Sequence, residues 1–267
     1  MDDWTPGPAA ARGGVVDRVI VVACVMLAVL VVGFVLVVGR LVGQEQSDHP
    51  PSVVPVEAAG AAASGVAGSV PGATAARPPA KRIDPTWIAR VAAATGIPPR
   101  ALIAYASAQL AIAAEQPACG IEWNTLAGIG AIESNHGRHG GAVLGDDGLS
   151  TPRILGPALD GHGVAAIRDT DRGVWDGDLT WDHAVGPMQF IPDTWRRWGA
   201  DADGDGTADP DQIDDAALAA GRYLCAVGPM TTSAGWRAAV FAYNHLDAYV
   251  DDVAAAANRY AKAVSGS

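Results

Sequence analysis

Twenty consecutive residues, Val19 to Val38 (VIVVACVMLAVLVVGFVLVV), carry no charge and no polar side chain beyond the Cys24 thiol. A helix rises 1.5 Å per residue, so this run spans about 30 Å, the thickness of a bilayer core. It is longer than the apolar part of a usual signal peptide, and no small-x-small cleavage site closes it before Arg40. The expectation is an uncleaved transmembrane signal anchor over residues 19–42, after a cytoplasmic tail of residues 1–18. Arg12 and Arg18 precede the run and only Arg40 closely follows it, a bias that puts the rest of the chain outside. A lipid-modified cysteine would follow the run, so Cys24, early within it, reads as a small membrane residue.

Residues 43–82 turn to Pro, Ala, Gly and Ser, with no periodicity and almost no large side chains. Such a segment buries too little apolar surface to offset its ordering entropy. It is expected to be a disordered tether. Its root-mean-square reach would be about 35 Å, and roughly 130 Å fully extended. A domain on such a tether works on something held away from the bilayer.

The folded domain is expected over residues 83–267, mainly α. Asp84-Pro85 suits a helix start and Gly96 a stop; Pro98-Pro99 opens a second helix running to Gln116. Further helices are expected over 193–198, 215–227, 236–249 and 253–263. Gly140 to Val185 is rich in Gly, Asp and Pro with no alternating run, so no strand is expected there. A loop that long is usually functional. Cys119 and Cys225 fall inside this domain. In an oxidising compartment they would pair as a disulfide; the alternative is two buried thiols.

Before that loop, IEWNTLAGIGAIESNHG places Leu126, Ile129, Gly130 and Glu133 on one helical face. Asn135-His136-Gly137 suits a left-handed cap, so Glu133 lies in the last turn. An apolar stripe and the negative end of the helix dipole both disfavour its ionised form. A carboxyl protonated near neutrality is what a general acid requires. The alternative is a surface Glu at a frayed helix end.

Lys and Arg number 18 against 29 Asp and Glu, a net charge of 18 − 29 = −11, which excludes a nucleic-acid partner on electrostatic grounds. Seven of the acids crowd Asp201 to Asp215. Asp201, Asp203 and Asp205 at alternate positions, then Gly206 and the Thr207 carbonyl, follow an EF-hand loop. The twelfth position, which should be Glu, is Gln212. A solvated acidic turn is the alternative to a Ca²⁺ site.

Four stretches in order, AGIGAIESNHG, AVGPMQFIPDTW, DADGDGTADPDQIDDA and FAYNHLDAYV, resemble the membrane-bound lytic murein transglycosylases of the MltB type. The resemblance implies a lysozyme-like catalytic domain acting on peptidoglycan glycan strands at the extracytoplasmic, cell-wall side of the membrane. It places the catalytic role on Glu133, followed by Ser134, and glycan binding on Met188, Gln189 and Phe190, with Tyr243 and Asn244 bordering the site. Some members carry a hydroxyl residue a few positions before the Gln-Phe pair; here Thr180 or nothing fills that place. In the family the acidic loop closes at its fifteenth position, which implies Ca²⁺ held by Asp201, Asp203, Asp205, the Thr207 carbonyl and Asp215, with Asp214 the neighbouring alternative. The implied reaction uses one glutamate, first as acid and then as base, to form a 1,6-anhydromuramyl end. Two other readings stand beside it: a lysozyme-type muramidase that hydrolyses the same bond, and a non-catalytic cell-wall-binding module.

Overall fold

The computed structural model describes residues 83–265. The expected span at 19–42, the tether at 43–82 and Cys24 lie outside the described residues. No helix among the described residues is long and apolar enough to cross a membrane.

The described unit is mainly α. Helix α1, Pro85–Thr95, begins where Asp84 accepts a hydrogen bond from the Thr86 amide and ends at Gly96, whose φ is 73°. Next come α2, Pro99–Glu115, and α3, Trp123–Ser134. Asn135, His136 and Gly137 then turn the chain left-handed with φ of 52°, 60° and 79°. The second half holds α4, Pro192–Trp198; α5, Ile213–Val227; α6, Ser233–Tyr243; and α7, Asp247–Ser265.

The structure departs from the sequence expectation at two places. The helix expected over 236–249 is two helices: Asn244 is extended (φ −144°, ψ 118°) and α7 restarts at Asp247. Asp247 in a first turn complements the helix dipole, which favours a new start over a continuous helix. The long loop also holds four short strands in two antiparallel pairs. β1, Val143–Leu144, pairs with β2, Ser150–Thr151; β3, Leu155–Ala158, pairs with β4, His183–Val185. Strands of two to four residues are too short for alternation to show.

The core lies between α2 and α5 and between α3 and α7. Small residues let these helices meet: a Cβ on Gly128 of α3 would stand 3.0 Å from the Val253 carbonyl of α7. Trp87 and Trp123, almost wholly buried, meet edge to face with centroids 5.6 Å apart. Trp195 is core as well, against Phe190 at 5.3 Å.

Cys119 and Cys225 are bonded across 106 residues, tying the approach to α3 onto α5. Closing so long a loop restricts the unfolded chain, worth about 3–5 kcal/mol in the chain-entropy account. Denaturant unfolding of the Cys119→Ser/Cys225→Ser variant should show a loss of that size; equal midpoints would contradict it.

Candidate active site

α3 carries its apolar face inward and brings Glu133 to its final turn. The Glu133 Oε1 accepts a hydrogen bond from the Tyr249 hydroxyl at 2.6 Å. Burial pushes the carboxyl up to about 7, and the Tyr249 bond opposes that shift in part. Burial and the neighbouring carboxylate drive Tyr249 itself well above the ordinary phenol range, so it remains a donor. Glu133 therefore carries a proton near neutrality while facing partly to solvent.

The turn of residues 186–190 is fixed beside this acid by two bonds. Ser134 is wholly buried, and its hydroxyl donates to the Pro187 carbonyl at 2.6 Å while accepting from the Gly137 amide at 2.7 Å. Its observed work is to join the end of α3 to the turn. From α6, the Tyr243 hydroxyl donates to the Met188 carbonyl at 2.8 Å. Met188 and Phe190 have buried side chains, so what they offer a ligand is backbone and shape. Phe190 meets Tyr243 edge to face at 6.0 Å, and Tyr243 meets Tyr223 at 5.6 Å.

Gln189 is held in left-handed backbone at φ 50°. Its amide nitrogen donates to Gly186 O at 3.0 Å, anchoring the head group on its own turn. A Cβ at Gly156 would lie 2.9 Å from Gln189 Oε1, so β3 passes close to that amide. Asn244 is half-buried in the break between α6 and α7. Thr180 is exposed; its amide donates to Asp178 and its carbonyl accepts from Asp169. Glu133, Ser134, Met188 and Tyr243 are thus brought together, with Gln189 and Phe190 on the same turn, while no described bond joins Thr180 to them.

Tyr249 had no role in the sequence reading, although it lies within FAYNHLDAYV. A helix continuous through 249 gave no reason to aim it at Glu133. The break at Asn244 is what turns it there.

The acids of the long loop mostly cap backbone. Asp169 Oδ1 accepts from the amides of Asp171, Arg172 and Gly173. In the second acidic loop, one carboxylate oxygen from each of Asp201, Asp203 and Asp215 lies within 4.8 Å of the others. Asp205 instead accepts from the Thr207 amide at 2.7 Å, and Thr207 is exposed. Gln212, at the twelfth position, caps α5 and donates its amide to Asp203 and Asp214 at 3.0 and 2.8 Å. Asp214 is paired with Arg100, which leaves Asp215 as the acid that turns toward the loop.

Residues 158–263 match the family model described as Transglycosylase SLT domain. On that match the chain is an enzyme of the transglycosylase class; the matched segment includes Gln189, Tyr243 and Tyr249 and begins after Glu133. Among solved structures the chain is similar to SltB3 from Pseudomonas aeruginosa in complex with NAG-anhNAM-pentapeptide, at 17% identity and TM-score 0.36, over 66% of this chain and 67% of that one. It is also similar to the Escherichia coli lytic transglycosylase Slt35 in complex with bulgecin A, at 13% identity and TM-score 0.38, over 68% and 75%. Superpositions this loose bear on neither the site nor its chemistry. No curated protein matches the chain.

Proposed function

We propose that the chain is a peptidoglycan lytic transglycosylase of the MltB type, with a lysozyme-like catalytic domain tethered outside the membrane by its N-terminal helix. The observation that carries this reading is the part-buried Glu133, held by Tyr249 at 2.6 Å beside the Gln189 turn, together with the transglycosylase domain match over 158–263.

Glu133 gives its proton to the glycosidic oxygen between N-acetylmuramic acid and N-acetylglucosamine, and the bond to the muramic anomeric carbon breaks. The substrate's own N-acetyl oxygen stabilises the positive charge left on that carbon. Glu133, now a carboxylate that Tyr249 continues to donate to, takes the proton of the muramic 6-hydroxyl. The 6-oxygen closes on the anomeric carbon, giving a 1,6-anhydro end and returning Glu133 to its acid form. No water is consumed. A two-carboxylate glycosidase needs a second acid; Asp169, Asp171 and Asp178 of the long loop are occupied as backbone caps. Gln189 and Asn244 have the polarity to hold sugar amides and hydroxyls.

Mass spectrometry of purified peptidoglycan digested with the full-length chain tests the reading. Muramyl ends short of one water are expected. Reducing ends would favour a muramidase, and binding without cleavage a wall-binding module.

The second acidic loop is proposed to hold Ca²⁺ through Asp201, Asp203, Asp205, the Thr207 carbonyl and Asp215. The donors fit: all are oxygens, and three carboxylates from the two ends of the loop already converge. Such an ion would neutralise the crowded acids and fix the connection from the Gln189 turn to α5. Ca²⁺ at a hundredfold excess over its Kd should stabilise the domain by about 2.7 kcal/mol, seen as a higher Tm than in EDTA. Asp203→Asn with Asp205→Asn should remove most of the response. Identical melting curves in Ca²⁺ and EDTA would leave a solvated turn.

A further inference from the structure

Behind Glu133 lies a buried polar cluster that the chemistry above leaves without a role. His136, three residues past the acid, is 3% exposed and stands in left-handed backbone at φ 60°. Its amide donates to the Gly130 carbonyl at 2.8 Å. Its ring nitrogens meet two phenols from different helices: Nδ1 is 3.2 Å from Tyr105 Oη on α2, and Nε2 is 3.0 Å from Tyr260 Oη on α7. Burial, joined by the facing charges of Arg138, just beyond α3, and Arg259 on α7, holds the imidazole neutral, pushed down to about 3. A neutral ring has one N–H to give and one nitrogen to accept, and two hydroxyls satisfy it in either tautomer. Tyr105 also sits directly on α3, since a Cβ at Gly130 would stand 2.1 Å from its hydroxyl.

We propose that His136 is a positioning residue for Glu133: through Tyr105 and Tyr260 it clamps the last turn of α3 to α2 and α7. α7 is the helix whose Tyr249 holds the acid. The final turn of a helix lacks onward hydrogen bonds and frays readily. Glu133 stands on such a turn, and a frayed turn would admit water to the carboxyl and part it from Tyr249. The three bonds made by His136 close that route. This inference rests on Glu133 as the general acid of the proposed reaction.

The test uses the full-length chain in detergent micelles, with Glu133 followed by carboxyl ¹³C NMR titration and turnover measured on purified peptidoglycan. His136→Phe keeps an aromatic ring and removes both ring bonds. The Glu133 midpoint should fall from about 7 by one pH unit or more toward 4.5, because solvent relieves the burial that raised it. kcat should drop roughly tenfold to a hundredfold, as expected for a misplaced catalytic group, with KM within about twofold. His136→Gln, which keeps a donor and an acceptor, should recover most of both. Should His136→Phe fail to fold, Tyr105→Phe and Tyr260→Phe each delete one hydroxyl and should move the midpoint part of the way. A lower Tm with the Glu133 midpoint and kcat unmoved in the folded variants would overturn the proposal. A wild-type chain that releases no muramyl product, with the midpoint still moving in His136→Phe, would sink the enzymatic reading and leave the clamp standing.

Discussion

Glu133→Gln should lower cleavage of purified peptidoglycan by at least about a hundredfold to ten-thousandfold, the range a general acid-base group supplies, while leaving the domain folded. The amide is nearly isosteric and its oxygen can still accept from Tyr249, so geometry is kept and only the transferable proton is lost. The same change should stabilise the fold above neutrality. The folded carboxyl titrates at about 7 against an ordinary 4.5, so below about pH 4.5 both states are protonated and nothing is lost. Between those values the unfolded chain releases its proton and the folded one keeps it, so stability falls as pH rises. The full cost is reached above pH 7. A shift of that size is worth about 2–3 kcal/mol once solvent at the partly exposed carboxyl is allowed for. Urea unfolding at pH 4 and pH 8 checks this: Glu133→Gln should be the more stable at pH 8 and show little difference at pH 4. A variant that kept near wild-type turnover would put the acid elsewhere.

Gly186→Ala should be the most damaging small substitution in the turn of residues 186–190. Gly186 has φ 76°, and a Cβ there would stand 1.9 Å from the Pro210 carbonyl oxygen and 2.7 Å from its carbon. Those are backbone atoms of the acidic loop, which cannot swing aside as a side-chain end can. Left-handed strain alone costs about 1–2 kcal/mol, and displacing the packed backbone should bring the total to about 3 kcal/mol or more. Gly140→Ala is the control: φ is 64° with nothing within 4 Å of the added carbon, so it carries the strain without the clash. Denaturant midpoints should separate the two variants by about 2 kcal/mol. Gly186→Ala should also lose turnover under conditions where it remains folded, because the same turn presents Gln189. Equal midpoints for the two would contradict the close approach.

Much of this architecture could be read from residue order alone. Asp84-Pro85, Gly96 and Asn135-His136-Gly137 are local signals whose physics acts within a turn, and each marks a helix boundary in the structure. Glu133 was legible for the same reason, since face and cap position follow from spacing. The Cys119–Cys225 bond was one of two readings, and the fold brings the sulfurs together. What spacing could not convey was long-range aim. Tyr249 reaches Glu133 only because the chain breaks at Asn244, and His136 finds its partners on helices more than thirty and one hundred residues away. Ser134 fits a motif but turns inward onto Pro187. The strands leave no signal in the sequence because two to four residues hold no period. Gln212 was legible as a departure from an EF-hand, yet its capping of α5 shows only in three dimensions.

In the proposed reaction one glutamate cleaves the glycan without water. Digestion of purified peptidoglycan in H₂¹⁸O by the full-length chain tests this most directly. Wild-type products should end in anhydromuramyl groups that carry no ¹⁸O, and Glu133→Gln should yield none of them. Reducing muramyl ends carrying one ¹⁸O each would contradict the account, since water and not the muramic 6-hydroxyl would then have closed the reaction.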